Sequence, residues 1–226
     1  IDQDEIDFIE AFARPLPQMV MANMLGFPEA DIPQLAEWGT AQVAAFVEGK
    51  GHGKLRAEAQ TRAQFKKLDA FKRYVQDHVA ARRAEPREDM ISWLTQVHYE
   101  ALDRPLTDLE VNGVVYAMII GGLETTQYAL EEQAQLLCEH PTLWQTLIDQ
   151  PQKVRAFVEE AMRLRSPTQG LSTRLTAQDE VFQGVSIPKG SLLHLRFGAA
   201  NVDPDEWTCP FDLDLNRRAA TRHLVF

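Results

Sequence analysis

Near the middle of the chain, two glycines come just before an acidic and a hydroxyl side chain. Residues 121–126 read Gly-Gly-Leu-Glu-Thr-Thr. The Thr125 hydroxyl can bond to a backbone carbonyl about one turn earlier and loosen a helix there. Glu124 in an apolar setting could transfer protons to a bound oxygen species. Without side chains, Gly121 and Gly122 would let a flat cofactor or small ligand approach the backbone. Taken alone, the cluster equally fits a close crossing of two helices.

A second candidate pair lies in the segment 159–163, Glu-Glu-Ala-Met-Arg. Glu160 and Arg163 are three residues apart, so on a helix they face the same side and can form an ion pair. Most pairs of this kind are exposed and contribute little to stability. This spacing alone therefore indicates an ion pair and no chemistry.

The glycine–threonine cluster lies inside a long predicted helix. Residues 107–110, Thr-Asp-Leu-Glu, form a capping box that predicts the helix start. The helix could run to about Glu139, before Pro141, which is about 32 residues or about 48 Å. Its centre, residues 114–120, is apolar on nearly all sides, so we expect it to be buried in one large domain spanning 1–226. Two glycines inside a helix cost about 1 kcal/mol each relative to alanine, so something should offset that cost.

Three further helices are predicted before this one. The first ends at Gly26, and its three methionines are expected to fill the core. Between the second and third, residues 49–54 resemble a phosphate loop only superficially, and they predict a mobile surface loop. The predicted segments are 17–25, 31–48, and a helix with a buried stripe at Phe65, Leu68, Phe71, Val75 and Val79.

The predicted secondary structure changes towards the end of the chain. Residues 1–165 predict helix after helix, whereas 171–226 predict a small β region followed by an irregular meander. We therefore expect a mainly α fold with a small β region. The predicted strands are Ser172–Thr176, Val181–Phe182, Val185–Ile187 and Leu192–Leu195.

Composition narrows the class of protein. The 226 residues are 45% hydrophobic and 25% charged, as in a soluble globular protein. A net charge of −10 disfavours nucleic-acid binding, and no apolar run predicts a membrane span. Cys138 and Cys209 are isolated in the sequence, which suits a reducing cytoplasm.

The order of these motifs resembles the cytochrome P-450 family, of the soluble bacterial type. The segment 121–126 looks like that family's oxygen-activation motif, and Glu160-x-x-Arg163 looks like its Glu-x-x-Arg helix. The resemblance is strong over 107–226 and diffuse before that. Its remaining elements are Arg174 on a strand, Ala200–Pro204, Pro210-Phe211 and Asn216-Arg217 in the meander, and His223–Phe226, which looks like the start of His-x-x-Phe-Gly-x-Gly-x-His-x-Cys-x-Gly.

The resemblance implies a role for each matching residue. Thr125 would stabilise the oxygen species and Glu124 would help to supply protons. Gly121 and Gly122 would line the oxygen pocket over haem b, and Arg174 would bind a haem propionate. Glu160, Arg163 and Arg217 would form a buried salt-bridge network that holds the meander, with Arg218 as a weaker candidate for the third position. That network would be structural and take no part in the chemical step.

The chain departs from the family pattern at both ends. The iron-ligating cysteine is expected just beyond Phe226. We also expect that an early helix, which in the family usually adds a propionate ligand, is missing at the N-terminus. Neither Cys138 nor Cys209 is expected to replace that ligand, so no metal ligand is assigned within the chain. We therefore expect an internal fragment of the family fold.

The implied activity is that of a cytochrome P-450 monooxygenase in the parent protein. It would insert one atom of dioxygen into a small apolar organic substrate, with a ferredoxin or reductase as electron donor. Two alternatives stay open: a non-catalytic helical fragment without haem, and a haem-thiolate peroxygenase that uses peroxide directly. The acid–alcohol pair argues against the peroxygenase, because peroxide already carries the protons that this pair would deliver.

Overall fold

The computed structural model describes residues 5–47, 58–217 and 220–225. The fold is mainly α with small antiparallel sheets, as predicted. The helices are α1 Pro15–Leu25, α2 Ile32–Val47, α3 Glu58–Ala84, α4 Met90–Gln96, α5 Asp108–Gly122, α6 Glu124–Glu139, α7 Pro141–Asp149, α8 Val154–Leu164 and α9 Phe197–Ala200. The strands are β1 His98–Tyr99, β2 Arg104–Pro105, β3 Leu171–Leu175, β4 Glu180–Phe182, β5 Val185–Ile187 and β6 Leu192–Leu195.

The strands pair two by two. β1 pairs with β2, β3 with β6, and β4 with β5, all antiparallel. The predicted bounds of β5 and β6 agree with the structure, while β3 and β4 each begin one residue earlier than predicted. The predicted loop at 49–54 lies outside the described residues.

The chain forms two compact units, Ile1–Gln127 and Tyr128–Phe226. In the first unit, α5 contacts all four preceding helices. Its fully buried Val111 and Val115 belong to the same cluster as Phe71 and Val75 of α3. The second unit has its own cluster, with Leu136, Leu143, Phe157 and Ala161 buried. A single domain over 1–226 stays a prediction.

The predicted apolar stripe on α3 is only partly buried. Phe71, Val75 and Val79 are fully buried, whereas Phe65 is 60% exposed. The part of α3 that packs against the core begins at Ala70. The periodic apolar pattern therefore continues towards the N-terminus of α3, past the last residue that contacts the core. Of the three methionines predicted to fill the core, Met21 is buried and Met19 and Met24 are exposed.

A buried ion pair joins three helices of the first unit. Arg82 of α3 donates from Nε to Asp89 Oδ2 over 2.7 Å, and from Nη2 to the carbonyl of Gly26 over 2.6 Å. Asp89 also accepts from the Ser92 amide and thereby caps α4. Gly26 has a φ of 75°, the left-handed conformation that glycine adopts readily at a helix C-terminus. None of the described helices is long and apolar enough to cross a membrane.

Candidate active site and meander network

The long central helix is present, with an interruption at one residue. Helical residues run from Asp108 to Glu139, and only Leu123 between them lies outside α5 and α6. Leu123 has φ −93° and ψ −77°, about 30° from ordinary α-helical values in both angles. The interruption therefore falls inside the segment whose two glycines were expected to weaken the helix.

A capping box sets the start of α5. The Thr107 hydroxyl accepts from the Glu110 amide at 3.3 Å, and the Glu110 carboxylate accepts from the Thr107 amide at 2.8 Å. Arg104 adds a two-pronged ion pair to the same carboxylate, with distances of 2.8 and 2.9 Å. This guanidinium and the Thr107 donors hold the pKa of Glu110 well below its usual range. The helix that carries the glycine–threonine cluster is thus anchored at its first turn.

The Thr125 side chain bonds back across the interruption. Its Oγ1 donates to the carbonyl of Gly121 over 2.5 Å, four residues earlier. A hydroxyl that donates its proton in this way still has lone pairs to accept another hydrogen bond. Thr125 is half-buried, while its neighbour Thr126 is exposed. The two threonines of the motif therefore differ in environment.

Glu124 is a half-buried carboxyl group at the first position of α6. Burial raises its pKa above the ordinary value of a glutamate. Within the described part of the chain, no hydrogen bond or ion pair reaches this carboxyl group. Nothing there stabilises the ionised form, so the side chain holds its proton to higher pH than an exposed glutamate.

The two glycines of the motif face different surroundings. A Cβ added to Gly121 would meet nothing within 4 Å, so space is open beside the helix at this point. A Cβ added to Gly122 would lie 2.7 Å from Sδ of Met21 in α1. The missing side chain at Gly121 leaves room for a ligand, whereas at Gly122 it leaves room for a core methionine.

In the second unit, Glu160 and Arg163 of α8 are completely buried and paired. Arg163 donates from Nε to Glu160 Oε2 over 2.9 Å and from Nη2 to Oε1 over 2.8 Å. Arg217 donates from Nε to the same Oε1 over 2.9 Å. Burial pushes the Glu160 pKa up, but the hydrogen bonds from both guanidinium groups outweigh burial and leave the pKa lowered. The structure brings all three predicted network residues together.

The two arginines of this network hold the meander by its backbone. Arg163 donates to the carbonyls of Asn201, Pro210 and Asp212 at 2.8, 2.7 and 3.2 Å. Arg217 adds bonds to the carbonyls of Thr208, Cys209 and Asp212 at 2.7, 3.2 and 3.1 Å. Irregular loops lack the repeating backbone bonds of helices and sheets, so side-chain donors take over that role. Arg218, the weaker candidate, lies outside the described residues.

Sequence reasoning missed two residues that complete the network. Asn201 is 1% exposed; its Nδ2 donates to Ser166 Oγ over 2.7 Å, and its Oδ1 accepts from the Leu224 amide over 2.7 Å. Trp207 lies with its ring centre 5.1 Å from the Arg163 guanidinium carbon. Asn201 stood within the quoted segment 200–204, but a short polar residue in a loop gives no sequence signal of burial.

Arg174 extends from β3, where it lies opposite Leu193 of β6. Its guanidinium donates to the neighbouring carbonyl of Thr173 at 3.4 Å, and no carboxylate among the described residues pairs with it. The side chain is exposed. A guanidinium without an acidic partner is suited to an external carboxylate, since its fork matches both oxygens.

The cysteines and other metal-ligand residues form no cluster in the described ranges. Cys138 and Cys209 are both free and exposed. No group of three or more His, Cys, Asp or Glu residues in the ranges 5–47, 58–217 and 220–225 could hold a metal ion. Each unit has one feature that suits a haem. In the first unit, the space beside Gly121 leaves room for a flat ligand. In the second unit, the Arg174 guanidinium has no acidic partner among the described residues and could bind a propionate.

Comparison with known proteins identifies the family. Residues 52–218 match the protein family described as Cytochrome P450. The Polyketide biosynthesis cytochrome P450 PksS of Bacillus subtilis (strain 168) is 30% identical over 99% of this chain and 52% of its own length. The Biotin biosynthesis cytochrome P450 of the same organism is 32% identical over 98% of this chain and 53% of its own length.

Solved structures agree with the sequence comparison. The cytochrome P450 PksS of the Bacillus subtilis 168 bacillaene polyketide synthase matches with a TM-score of 0.86 and 28% identity, over 99% of this chain and 54% of its own. P450BioI in complex with hexadec-9Z-enoic acid ligated acyl carrier protein matches with a TM-score of 0.82 and 31% identity, over 98% of this chain and 54% of its own.

The chain belongs to the cytochrome P450 family. It spans about half the length of the curated relatives that it matches. The predicted family and the predicted fold class are thereby confirmed.

Proposed function

We propose that the full-length protein is a haem-dependent monooxygenase that inserts one atom of dioxygen into an apolar organic substrate. The observation that carries the proposal is the hydrogen bond from Thr125 Oγ1 to the Gly121 carbonyl, beside a glutamate with a raised pKa. A haem held by a cysteine thiolate supplies the activation of dioxygen when it is bound. The roles of the side chains follow from their own contacts.

Thr125 orients a hydrogen bond at the helix interruption. Because the Thr125 hydroxyl donates its proton to the Gly121 carbonyl, the lone pairs of Oγ1 can accept a hydrogen bond from a donor outside the helix. A water molecule or a protonated ligand atom next to α5 can therefore donate to Oγ1. The open space at Gly121 offers room for that ligand beside the helix.

Glu124 places a carboxyl group with a raised pKa close in sequence to that hydroxyl. Burial favours the neutral acid, which can give a proton and take another from solvent. Proton transfer by a positioned side chain typically contributes about 10² to 10⁴ in rate. This function requires the carboxyl group to change protonation state, so a glutamine at this position could not transfer a proton.

Arg174 is our candidate for binding a haem propionate. The support is its exposed guanidinium, which no carboxylate of the described chain neutralises. A two-pronged pairing with a propionate would give it the partner that it lacks. The cysteine that would bind the iron is not assigned to any residue of this chain.

The partners that we propose are dioxygen, an apolar organic molecule, and a ferredoxin or reductase. Two free cysteines are compatible with work in a reducing cytoplasm. The relatives act in different contexts: P450BioI is seen with an acyl carrier protein that carries hexadec-9Z-enoic acid, and another relative is named Steroid C26-monooxygenase, from Mycolicibacterium smegmatis. An apolar substrate is the feature that we carry over to this chain.

Thr125→Ala in the full-length, haem-loaded protein tests the proposal. Removing one hydrogen bond worth about 1 to 1.5 kcal/mol should lower product per electron pair roughly five- to twelvefold, with the electrons appearing as hydrogen peroxide. The control is Thr126→Ala, which removes the exposed neighbour and should leave the ratio of product to peroxide unchanged. Equal ratios in both variants would remove Thr125 from the mechanism.

Two measurements separate the alternatives. A haem-thiolate protein gives the thiolate-type Soret band when it is reduced and exposed to carbon monoxide, whereas a haem-free helical fragment gives none. Product formed from hydrogen peroxide without a reductant, as fast as with reductant and dioxygen, would favour a peroxygenase over our proposal.

A further inference from the structure

Leu123 connects α5 to α6, and its side chain is in the core. It is 8% exposed and belongs to the buried cluster of the first unit. Thr125 and Glu124 follow it directly, so the backbone angles at Leu123 decide where both side chains lie. What holds the Leu123 side chain therefore matters for the acid–alcohol pair.

Gly39 of α2 provides the space that the Leu123 side chain fills. A Cβ added at position 39 would lie 2.8 Å from Leu123 Cδ1, closer than real Cβ contacts, and 3.8 Å from Ile119 Cγ2. Glycine is unfavourable inside a helix, and Gly39 lies in the middle of α2. The contact with Leu123 is a reason for glycine at this position.

Met21 of α1 occupies the corresponding place at Gly122. Its Sδ, Cγ and Cε lie 2.7, 3.2 and 3.3 Å from the position of an added Cβ. Met21 is 6% exposed, so its side chain is held in the core. Two successive residues at the interruption, Gly122 and Leu123, are thus each packed against a different helix.

We infer that Gly39 and Met21 are positioning residues for the Glu124–Thr125 pair. They act through the backbone: Gly39 admits Leu123, Met21 packs on Gly122, and together they set the turn across which Thr125 bonds to Gly121. The inference rests on the proposed function for the catalytic part, while the packing part can be measured independently. Neither residue touches the reacting groups.

Gly39→Ala in the full-length protein tests the first contact. The new methyl group must displace Leu123 Cδ1, which lies in the core. The Gln127 amide donates to the Leu123 carbonyl over 3.0 Å, so amide hydrogen exchange at Gln127 should rise roughly tenfold when Leu123 moves. Product per electron pair should fall in parallel. The effect should disappear in a Leu123→Ala background, where the methyl group added at position 39 meets no Cδ1.

Gly113→Ala is the matched control. Gly113 lies in α5, is exposed, and an added Cβ there would meet nothing within 4 Å. Exchange at the interruption and product per electron pair should both stay at the wild-type values. Met21→Ala tests the second contact and serves as the deciding variant if Gly39→Ala does not fold.

The outcomes distinguish this inference from the proposed function. Faster exchange confined to the interruption, in Gly39→Ala or Met21→Ala, supports the packing role. Exchange unchanged there, or raised equally along α3 and α5, overturns it, even if Thr125→Ala still diverts electrons to peroxide. Local exchange that rises while Gly39→Ala and Thr125→Ala both leave product unaffected supports the packing role and contradicts the proposed function.

Discussion

Glu160→Gln should be among the most destabilising single substitutions in the second unit. The side chain is fully buried, and its two oxygens accept bonds from Arg163, Arg217 and the Asp214 amide. Glutamine keeps the shape but loses the charge. It also places an NH₂ group where an acceptor is needed, so one guanidinium donor faces another donor.

The expected loss of folding free energy follows from the burial of the ion pair. Removing one partner of a buried ion pair leaves the other charge uncompensated and costs about 3 to 5 kcal/mol. Arg163 is that other charge, and it is 0% exposed. A typical folding free energy is about 5 to 15 kcal/mol, so the substitution removes a large fraction of the total. Arg163 would also lose the carboxylate that holds it in place beside the three meander carbonyls to which it donates.

The assay is urea denaturation of the full-length protein, with Glu206→Gln as the control. Glu206 also pairs with an arginine, Arg222, at 2.6 Å, but the two side chains are 45% and 66% exposed. An exposed pair contributes about 0 to 1 kcal/mol, so the same chemical change should be nearly neutral there. Equal free-energy losses in the two variants, or a loss below about 1 kcal/mol for Glu160→Gln, would refute the argument from burial.

The pH dependence gives the same prediction a second readout. Folding lowers the pKa of Glu160 from about 4.5, so the unfolded state binds its proton first as the pH falls. The stabilisation is present above the unfolded pKa and is lost as the pH drops through the lower folded pKa. The difference between wild type and Glu160→Gln should therefore be full at pH 7 and narrow below about pH 4.5. A difference that stays constant into strong acid would contradict this assignment.

Three further substitutions, one of them a control, test the remaining features of the fold. Gln42→Leu should stabilise the protein by about 1 to 3 kcal/mol in thermal or urea unfolding. The reason is that both amide atoms of Gln42 are buried without a hydrogen-bond partner in the described chain. A loss of stability would mean that a bound water satisfies these atoms. Cys209→Gly should stabilise by about 1 kcal/mol, since Cys209 has a φ of 47°. Cys138→Gly, inside α6, should destabilise by about 1 kcal/mol, and effects of the same sign would refute the backbone argument.

Local spacing predicted the contacts that are local. The Thr125 bond to Gly121 and the Glu160–Arg163 pair both join residues three or four apart, and helix geometry alone brings such residues together. The capping box at Thr107 is of the same kind. For these features the sequence was sufficient, because 3.6 residues per turn leaves little freedom in the outcome.

Burial and long-range partners were decided only by the tertiary structure. The spacing of Glu160 and Arg163 is compatible with an exposed pair, and the carbonyls that bury Arg163 come from residues 38 to 49 positions away. The stripe on α3 was periodic as far as Phe65, but the core ended before it. Periodicity describes which face a residue lies on, not how far the neighbouring helix reaches.

The motif at 121–126 shows both sides of this division. Its residues alone predicted a weakened helix and an acid–alcohol pair, and their resemblance to a known motif predicted the cytochrome P450 family. The tertiary structure decided that the helix breaks at Leu123, that Gly121 has open space, and that Gly122 is packed under Met21. Because glycine has no side chain, its role at a given position depends on which atoms of neighbouring helices lie beside it.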